Sequence, residues 1–192
     1  MTLPTTHIEI SWTGPHTWPT PTSPLPDSPG VYLWTFPYDA GFIIYAAGIT
    51  RRPLTKRFRE HTRSYLNGTY TLFDVADLTR GIRTERWHGF WSKKRLPEKE
   101  AEYDLRRDEL EAIAREQMAT CRIFAAEFTT ERRLLERLEA SIMDQLYNAP
   151  KPFCDIPDRG MMLAPRWKSE APIVIISQTS RVLHGIQAEF EI

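Results

Sequence analysis

The chain has 192 residues, 41% of them hydrophobic and 26% charged, with 25 Lys/Arg against 25 Asp/Glu. That length and balance suit one globular domain with elaborations and exclude a membrane-spanning chain, because no stretch approaches the roughly 18 apolar residues a span needs. A net charge of zero also argues against a protein that coats nucleic acid non-specifically through many phosphate contacts.

Met1 to Pro29 lacks the basic segment and apolar run of a signal peptide, so a cytoplasmic protein is expected. Cys121 and Cys154 lie far apart and outside any CxxC pattern, and the five histidines are scattered. Two reduced thiols, with no zinc site, are therefore expected. His7 to Trp12 alternates as a short strand. Residues 13–29 hold six prolines among Thr and Ser, so residues 1–28 are read as a Pro-rich arm or linker on the surface.

Val31 to Phe36 and Phe42 to Ala47 are rich in β-formers and are joined by Pro37 to Gly41, which predicts an antiparallel hairpin. Leu54, Phe58, His61 and Tyr65 then recur at helical spacing, with Pro53 at the start and Gly68 past the end. Residues 69–95 fit neither period cleanly. Tyr70 to Ala76 reads as a short strand or helix, and Trp87, His88, Phe90 and Trp91 form an aromatic cluster. Pro97 to Met118 is a helix, charged on most faces, with Tyr103, Leu110 and Ile113 as a thin apolar stripe. It is read as a solvated face or a contact in a homo-oligomer.

Arg122 to Phe128 is a third strand. A helix from about Glu131 to Tyr147, capped by Thr129 or Thr130, carries Leu134, Leu135, Leu138, Ile142 and Leu146 on one face. Residues 149–172 are loop-like, Ile173 to Ser177 is a buried strand, and Ala188 to Ile192 pairs near it. The order predicts an α/β (α+β) domain over residues 29–150: a small mixed three-stranded sheet with flanking helices and an insertion at about 69–121. Residues 151–192 form an extension packed on the same domain.

Charge is unevenly distributed. Arg51 to Arg63 holds six Lys/Arg against Glu60 alone, and Arg80 to Arg95 six more against Glu85, while 98–116 is acidic. On the wheel of the 131–147 helix, Glu139 lies beside the apolar face, three before Ile142 and four after Leu135. A carboxylate there needs a partner, either a cation or an arginine in a structural salt bridge. Arg57 and His61 stand one turn apart on the edge of another apolar stripe.

These residues resemble the GIY-YIG endonuclease family. Gly30-Val31-Tyr32 is similar to its first motif and Tyr45-Ala46-Ala47-Gly48 to its second. The helix with Arg57-Phe58-Arg59-Glu60-His61 resembles the arginine helix. Leu138-Glu139-Ala140-Ser141-Ile142 resembles the glutamate helix, with Asn148 following. The resemblance covers about residues 29–68 and 122–148. It implies hydrolysis of DNA phosphodiester bonds, with Tyr32 as base, Arg57 on the phosphate and Glu139 on Mg²⁺ or Mn²⁺. The chemistry suits these residue types. A guanidinium matches phosphate geometry at any pH, and Mg²⁺ binds through one or two carboxylates plus substrate phosphate.

The chain departs from the family in one place. The second-motif tyrosine stands one residue early, at Tyr45, and reaches the site only through a bulge at Ala46-Ala47. His61 is then a further proton carrier. Glu136 is the rival metal ligand, twelve residues before Asn148. Asn148 itself is either a site residue or a local helix cap. Arg51, Arg52, Lys56, Lys93 and Lys94 are candidate DNA contacts. The Trp87–Arg95 segment is a DNA clamp or a hydrophobic satellite cluster. A family member that binds nucleic acid or a protein without cutting is the alternative.

Overall fold

The computed structural model describes residues 6–20, 25–90, 96–129 and 131–192. Two short strands open the chain, β1 (Thr6–Ser11) and β2 (Thr13–Thr17). The expected hairpin follows as β3 (Gly30–Tyr38) and β4 (Gly41–Thr50), then α1 (Leu54–Leu66). The ambiguous stretch is a string of small elements: β5 (Leu72–Phe73), α2 (Val75–Leu78) and β6 (Glu85–Trp87). Then come α3 (Pro97–Leu105), α4 (Arg107–Thr120), β7 (Arg122–Glu127) and α5 (Arg132–Asn148). The C-terminal part adds β8 (Ile173–Gln178), β9 (Leu183–His184) and β10 (Glu189–Glu191).

The fold is mixed α and β. Its main sheet has five strands, ordered β2-β7-β3-β4-β9. The three expected strands are its centre, and β2 and β9 extend it at either side. A second sheet, β1-β8-β10, pairs the N-terminal strand in parallel with β8, so that Thr6 meets Ile173 and Ser11 meets Gln178. The side chains of β3 alternate between two cores. Tyr32, Trp34 and Phe36 face α1 and α4, packing with Leu54, Phe58, Tyr65, Leu110 and Ala114. Val31 and Leu33 face α5 and the second sheet, packing with Leu138, Ile142, Leu146, Ile10 and Ile175.

Several expectations need correction. The N-terminal stretch is not merely a surface arm. β2 pairs with β7, and Trp18 and Leu25 are buried in the α1-side core, with the Trp18 indole N–H donating to Thr62 Oγ1 at 2.9 Å. Large side chains among prolines are still buried when a sheet edge lies open beside them. The 97–118 helix is two helices, broken at Arg106 by a non-helical backbone (φ −106, ψ 11). Tyr103 before the break packs on Trp87 and Phe90, whereas α4 after it packs on α1 and β5. Glu131 stands at the N-cap of α5, and Thr129 Oγ1 accepts its backbone N–H at 3.0 Å. Both cysteines are free thiols; Cys121 is buried, whereas Cys154 is only partly so. Among the described residues, no helix is long and apolar enough to cross a membrane.

Candidate active site

Tyr32 projects from β3 toward α1, where Arg57 and His61 face it from successive turns. His61 Nε2 lies 2.9 Å from the Tyr32 hydroxyl, and Arg57 Nε donates to the same hydroxyl at 3.4 Å. His61 Nδ1 lies 2.9 Å from the hydroxyl of Tyr70, in the loop after α1. A neutral imidazole has one donor and one acceptor nitrogen. His61 therefore donates to one of the two phenols and accepts from the other, linking Tyr32 and Tyr70 in one chain.

Glu139 belongs to α5, on the opposite side of the sheet. It reaches the same place because β4 is incompletely paired. β9 covers only Phe42 and Ile43, so the outer edge of β4 beyond them has free N–H groups. Side chains of α5 cap that edge: Met143 Sδ accepts the Ala47 N–H at 3.1 Å, and the Ile49 N–H bonds the Glu139 carboxylate. Met143 and Glu139 are one helical turn apart, and Ala47 and Ile49 are two residues apart on the strand, so the two periods coincide. Gly48 lies between them, opposite Tyr32. A Cβ on Gly48 would fall 2.4 Å from Tyr32 Cζ and 2.5 Å from its hydroxyl oxygen. The glycine is what lets the Tyr32 ring cross β4 toward Glu139.

Tyr32, Arg57, His61 and Glu139 thus line one cavity of about 240 Å³, together with Trp34, Gly48, Tyr70, Asp158 and Met161. Comparison with family models, with curated proteins and with solved structures returns no match.

Burial sets the proton affinities. It raises the Glu139 carboxyl to about 7, with Glu136 adding to the rise and Arg57 and the Ile49 N–H opposing it. Arg57 forms its ion pair with Glu60 at 3.2 Å and acts on Glu139 only through space. Burial lowers His61 to about 3, helped by Arg57, so the imidazole is neutral at physiological pH. Burial also pushes Tyr32 to about 12 although Arg57 pulls it down.

A second, wider cleft of about 790 Å³ shares Ile49, Arg57 and Glu139 with this cavity and is lined by Arg51, Arg52, Arg132 and Glu136. Arg52 grips Glu60 through both terminal nitrogens at 2.9 Å each, so Glu60 orients Arg52 and Arg57 together. Glu136 is ion-paired to Arg132 at 2.7 Å and lies outside the tyrosine cavity. Glu139, not Glu136, is therefore the carboxylate beside Tyr32.

Other expected site residues lie elsewhere. The β3–β4 register does slip, but between Trp34 and Thr35, which leaves Tyr45 itself as the extra residue. Tyr45 consequently shares the face of Tyr32, yet it packs flat on Trp34 (6.2 Å, 9°) and edge-on to Phe73, and does not line the cavity. Burial moves its phenol far up. Tyr70 supplies the second hydroxyl instead. It sits in the segment that fits neither period, so no spacing signal marked it. Asn148 is exposed at the far end of α5, nine residues or about 14 Å along the axis from Glu139, with its side-chain N–H groups on Asp144. It is a local cap. Lys56 is exposed on α1 and lines neither cavity. Lys93 and Lys94 lie outside the described residues. Trp87 and Phe90 are buried against Tyr103 in the α1-side core, with the Trp87 indole N–H on Gly68 O at 2.9 Å, so these two rings are not exposed to stack on a base; residues 91–95 of that segment lie outside the described residues.

Asp158 and Met161 come from the extension after α5, which closes the cavity and was not expected to contribute. That wall is fixed in place. The Asp158 N–H donates to Tyr45 O at 2.9 Å, Tyr147 donates its hydroxyl proton to Asp158 O at 2.6 Å, and Arg83 donates to Pro157 O at 2.7 Å.

Proposed function

We propose that this chain is a divalent-metal-dependent endonuclease of the GIY-YIG kind, hydrolysing DNA phosphodiester bonds at the cavity between β3, α1 and α5. The observation that carries this reading is the convergence of Tyr32, Arg57, His61 and Glu139 from three separate elements on one small cavity beside an arginine-lined cleft. Arg57 presents a permanent charge to a phosphate, Arg51, Arg52 and Arg132 flank the neighbouring phosphates, and the Tyr32–His61–Tyr70 chain moves or holds a proton at the nucleophile.

A metal fits the residues present. Glu139 is a half-buried carboxylate at about 7 with no ion-pair partner among the described residues, so a cation beside it would relieve its cost. Among the described residues no cluster of three His, Cys, Asp or Glu exists, so a cation here would rest on one carboxylate, waters and substrate phosphate. Bound there, Mg²⁺ or Mn²⁺ would supply Lewis-acid stabilisation of phosphoryl charge and a more acidic water.

The test is incubation of supercoiled plasmid with the protein and Mg²⁺ or Mn²⁺, beside Glu139→Ala. Nicking by the wild type and none by the variant is expected. Equal behaviour across DNA and RNA substrates sinks the catalytic reading. The withdrawal of Tyr45 from the cavity favours a second reading, a domain that binds nucleic acid without cutting, in which binding survives Glu139→Ala and no nick forms.

A further inference from the structure

The cavity that carries the four residues extends beyond Arg57, away from the arginine-lined cleft. Its 240 Å³ corresponds to about eight waters at about 30 Å³ each, and runs past Glu139 to Trp34, Tyr70, Asp158 and Met161. It falls below the about 300–1,000 Å³ of pockets for drug-sized ligands, which is the scale of one ring system. The outer cleft and this recess meet at Ile49, Arg57 and Glu139. A phosphate on Arg57 would therefore have arginines on one side and the recess on the other.

The two sides differ in chemistry. The cleft holds Arg51, Arg52 and Arg132, whereas beyond Arg57 the recess has no Lys or Arg. Its walls are largely aromatic and aliphatic, with two carboxylates, Glu139 at the mouth and Asp158 deeper in, the His61 imidazole and the Tyr32 and Tyr70 hydroxyls. Flat, π-faced rings with polar edges fit such walls, and a chain of phosphates fits the cleft. A base inside a duplex is stacked and paired and cannot enter; an unpaired or extruded one can.

We propose that the recess receives one unpaired nucleobase next to the phosphate held by Arg57, so that the substrate is single-stranded nucleic acid or a duplex with an unpaired nucleotide. This rests on the nuclease reading and narrows its substrate class. Asp158 Oδ1 already accepts the Gly160 N–H at 2.9 Å, and its remaining lone pairs accept only from donors. Any base that turns an N–H toward Asp158, from an exocyclic amino group or from the ring N–H of guanine, thymine or uracil, can donate to it.

The test measures binding in EDTA, without cleavage, by fluorescence anisotropy on the full chain. The probes are a labelled single-stranded DNA decamer, the same strand with one abasic site moved along it, and the blunt duplex. One abasic position is expected to weaken binding about tenfold, the effect of losing one stacked base, and the duplex to bind more weakly than the intact strand at equal salt. Met161→Trp fills the recess and is expected to make intact and abasic strands bind alike, with the salt dependence set by the arginines unchanged. Asp158→Asn, which keeps the shape, is expected to shift which base binds best at the sensitive position. A flat abasic scan for the wild type overturns the recess while leaving the nuclease reading standing. An abasic penalty that survives in a folded Met161→Trp, together with an unchanged base preference in Asp158→Asn, overturns it equally. No binding of any strand, either in EDTA or with Ca²⁺ standing in for Mg²⁺, overturns both.

Discussion

Glu139 offers the sharpest test of the electrostatics, because it sits where a carboxylate is costly. Its carboxyl is held at about 7, against an ordinary value of 4.5. The folded protein therefore binds this proton more tightly than the unfolded chain. Stability from this site is fully present below 4.5 and is lost as pH rises through 7. The difference corresponds to about 3 kcal/mol above pH 7, or about 2 kcal/mol once the partial solvent contact of the side chain is allowed for. Glu139→Gln removes the charge but keeps an oxygen for the Ile49 N–H. At pH 8 the variant should melt higher than the wild type by about 4–8 °C, at the about 2–4 °C per kcal/mol of a chain this size. At pH 4 the two should coincide. Thermal unfolding followed by circular dichroism, in EDTA, measures both. Adding Mg²⁺ or Mn²⁺ at pH 8 should then raise the wild type alone. The reasoning is refuted if the difference between wild type and variant is the same at both pH values, or if the variant is the less stable at pH 8.

Three other expectations follow from particular contacts. Gly48→Ala drives a methyl into the Tyr32 ring and should destabilise by about 1–3 kcal/mol; in a double-mutant cycle with Tyr32→Ala, chemical denaturation should show most of that cost disappearing. Tyr45→Phe should leave plasmid nicking unchanged, whereas Tyr70→Phe should slow it and displace the pH–rate profile, since only Tyr70 bonds His61; the reverse order would place the second hydroxyl at Tyr45 after all. Trp87→Ala should lower stability by about 3–5 kcal/mol without altering DNA affinity at temperatures where the variant stays folded, and a selective loss of affinity would restore the clamp.

The sequence by itself determined the elements whose signals are local. The β3–β4 hairpin, the period of α1 with Arg57 and His61 one turn apart, and the apolar stripe of α5 with Glu139 at its margin are all legible from side-chain periodicity; the first two are found as expected, and the stripe is found with Leu134 only partly buried and Met143 buried in addition. The terminal strands were also legible as strands, and 188–192 does pair with 173–177 as expected, but the partner of the N-terminal strand was not legible. Pairing of Thr6 with Ile173 joins opposite ends of the chain, and nothing local specifies it. The same limit separates Tyr45 from Tyr70. Whether a strand slips by one residue depends on what packs across it, and Tyr45 is taken up by Trp34 and Phe73. The second hydroxyl that His61 meets, beside that of Tyr32, comes from a loop with no period to read. Burial of Trp18 and Leu25, and the wall made by Asp158 and Met161, likewise depend on which surfaces remain uncovered once the sheet has formed. Tertiary structure alone decided where Glu139 sits against Tyr32, because the carboxylate crosses to the other face only where β9 stops short and Gly48 leaves room for the ring.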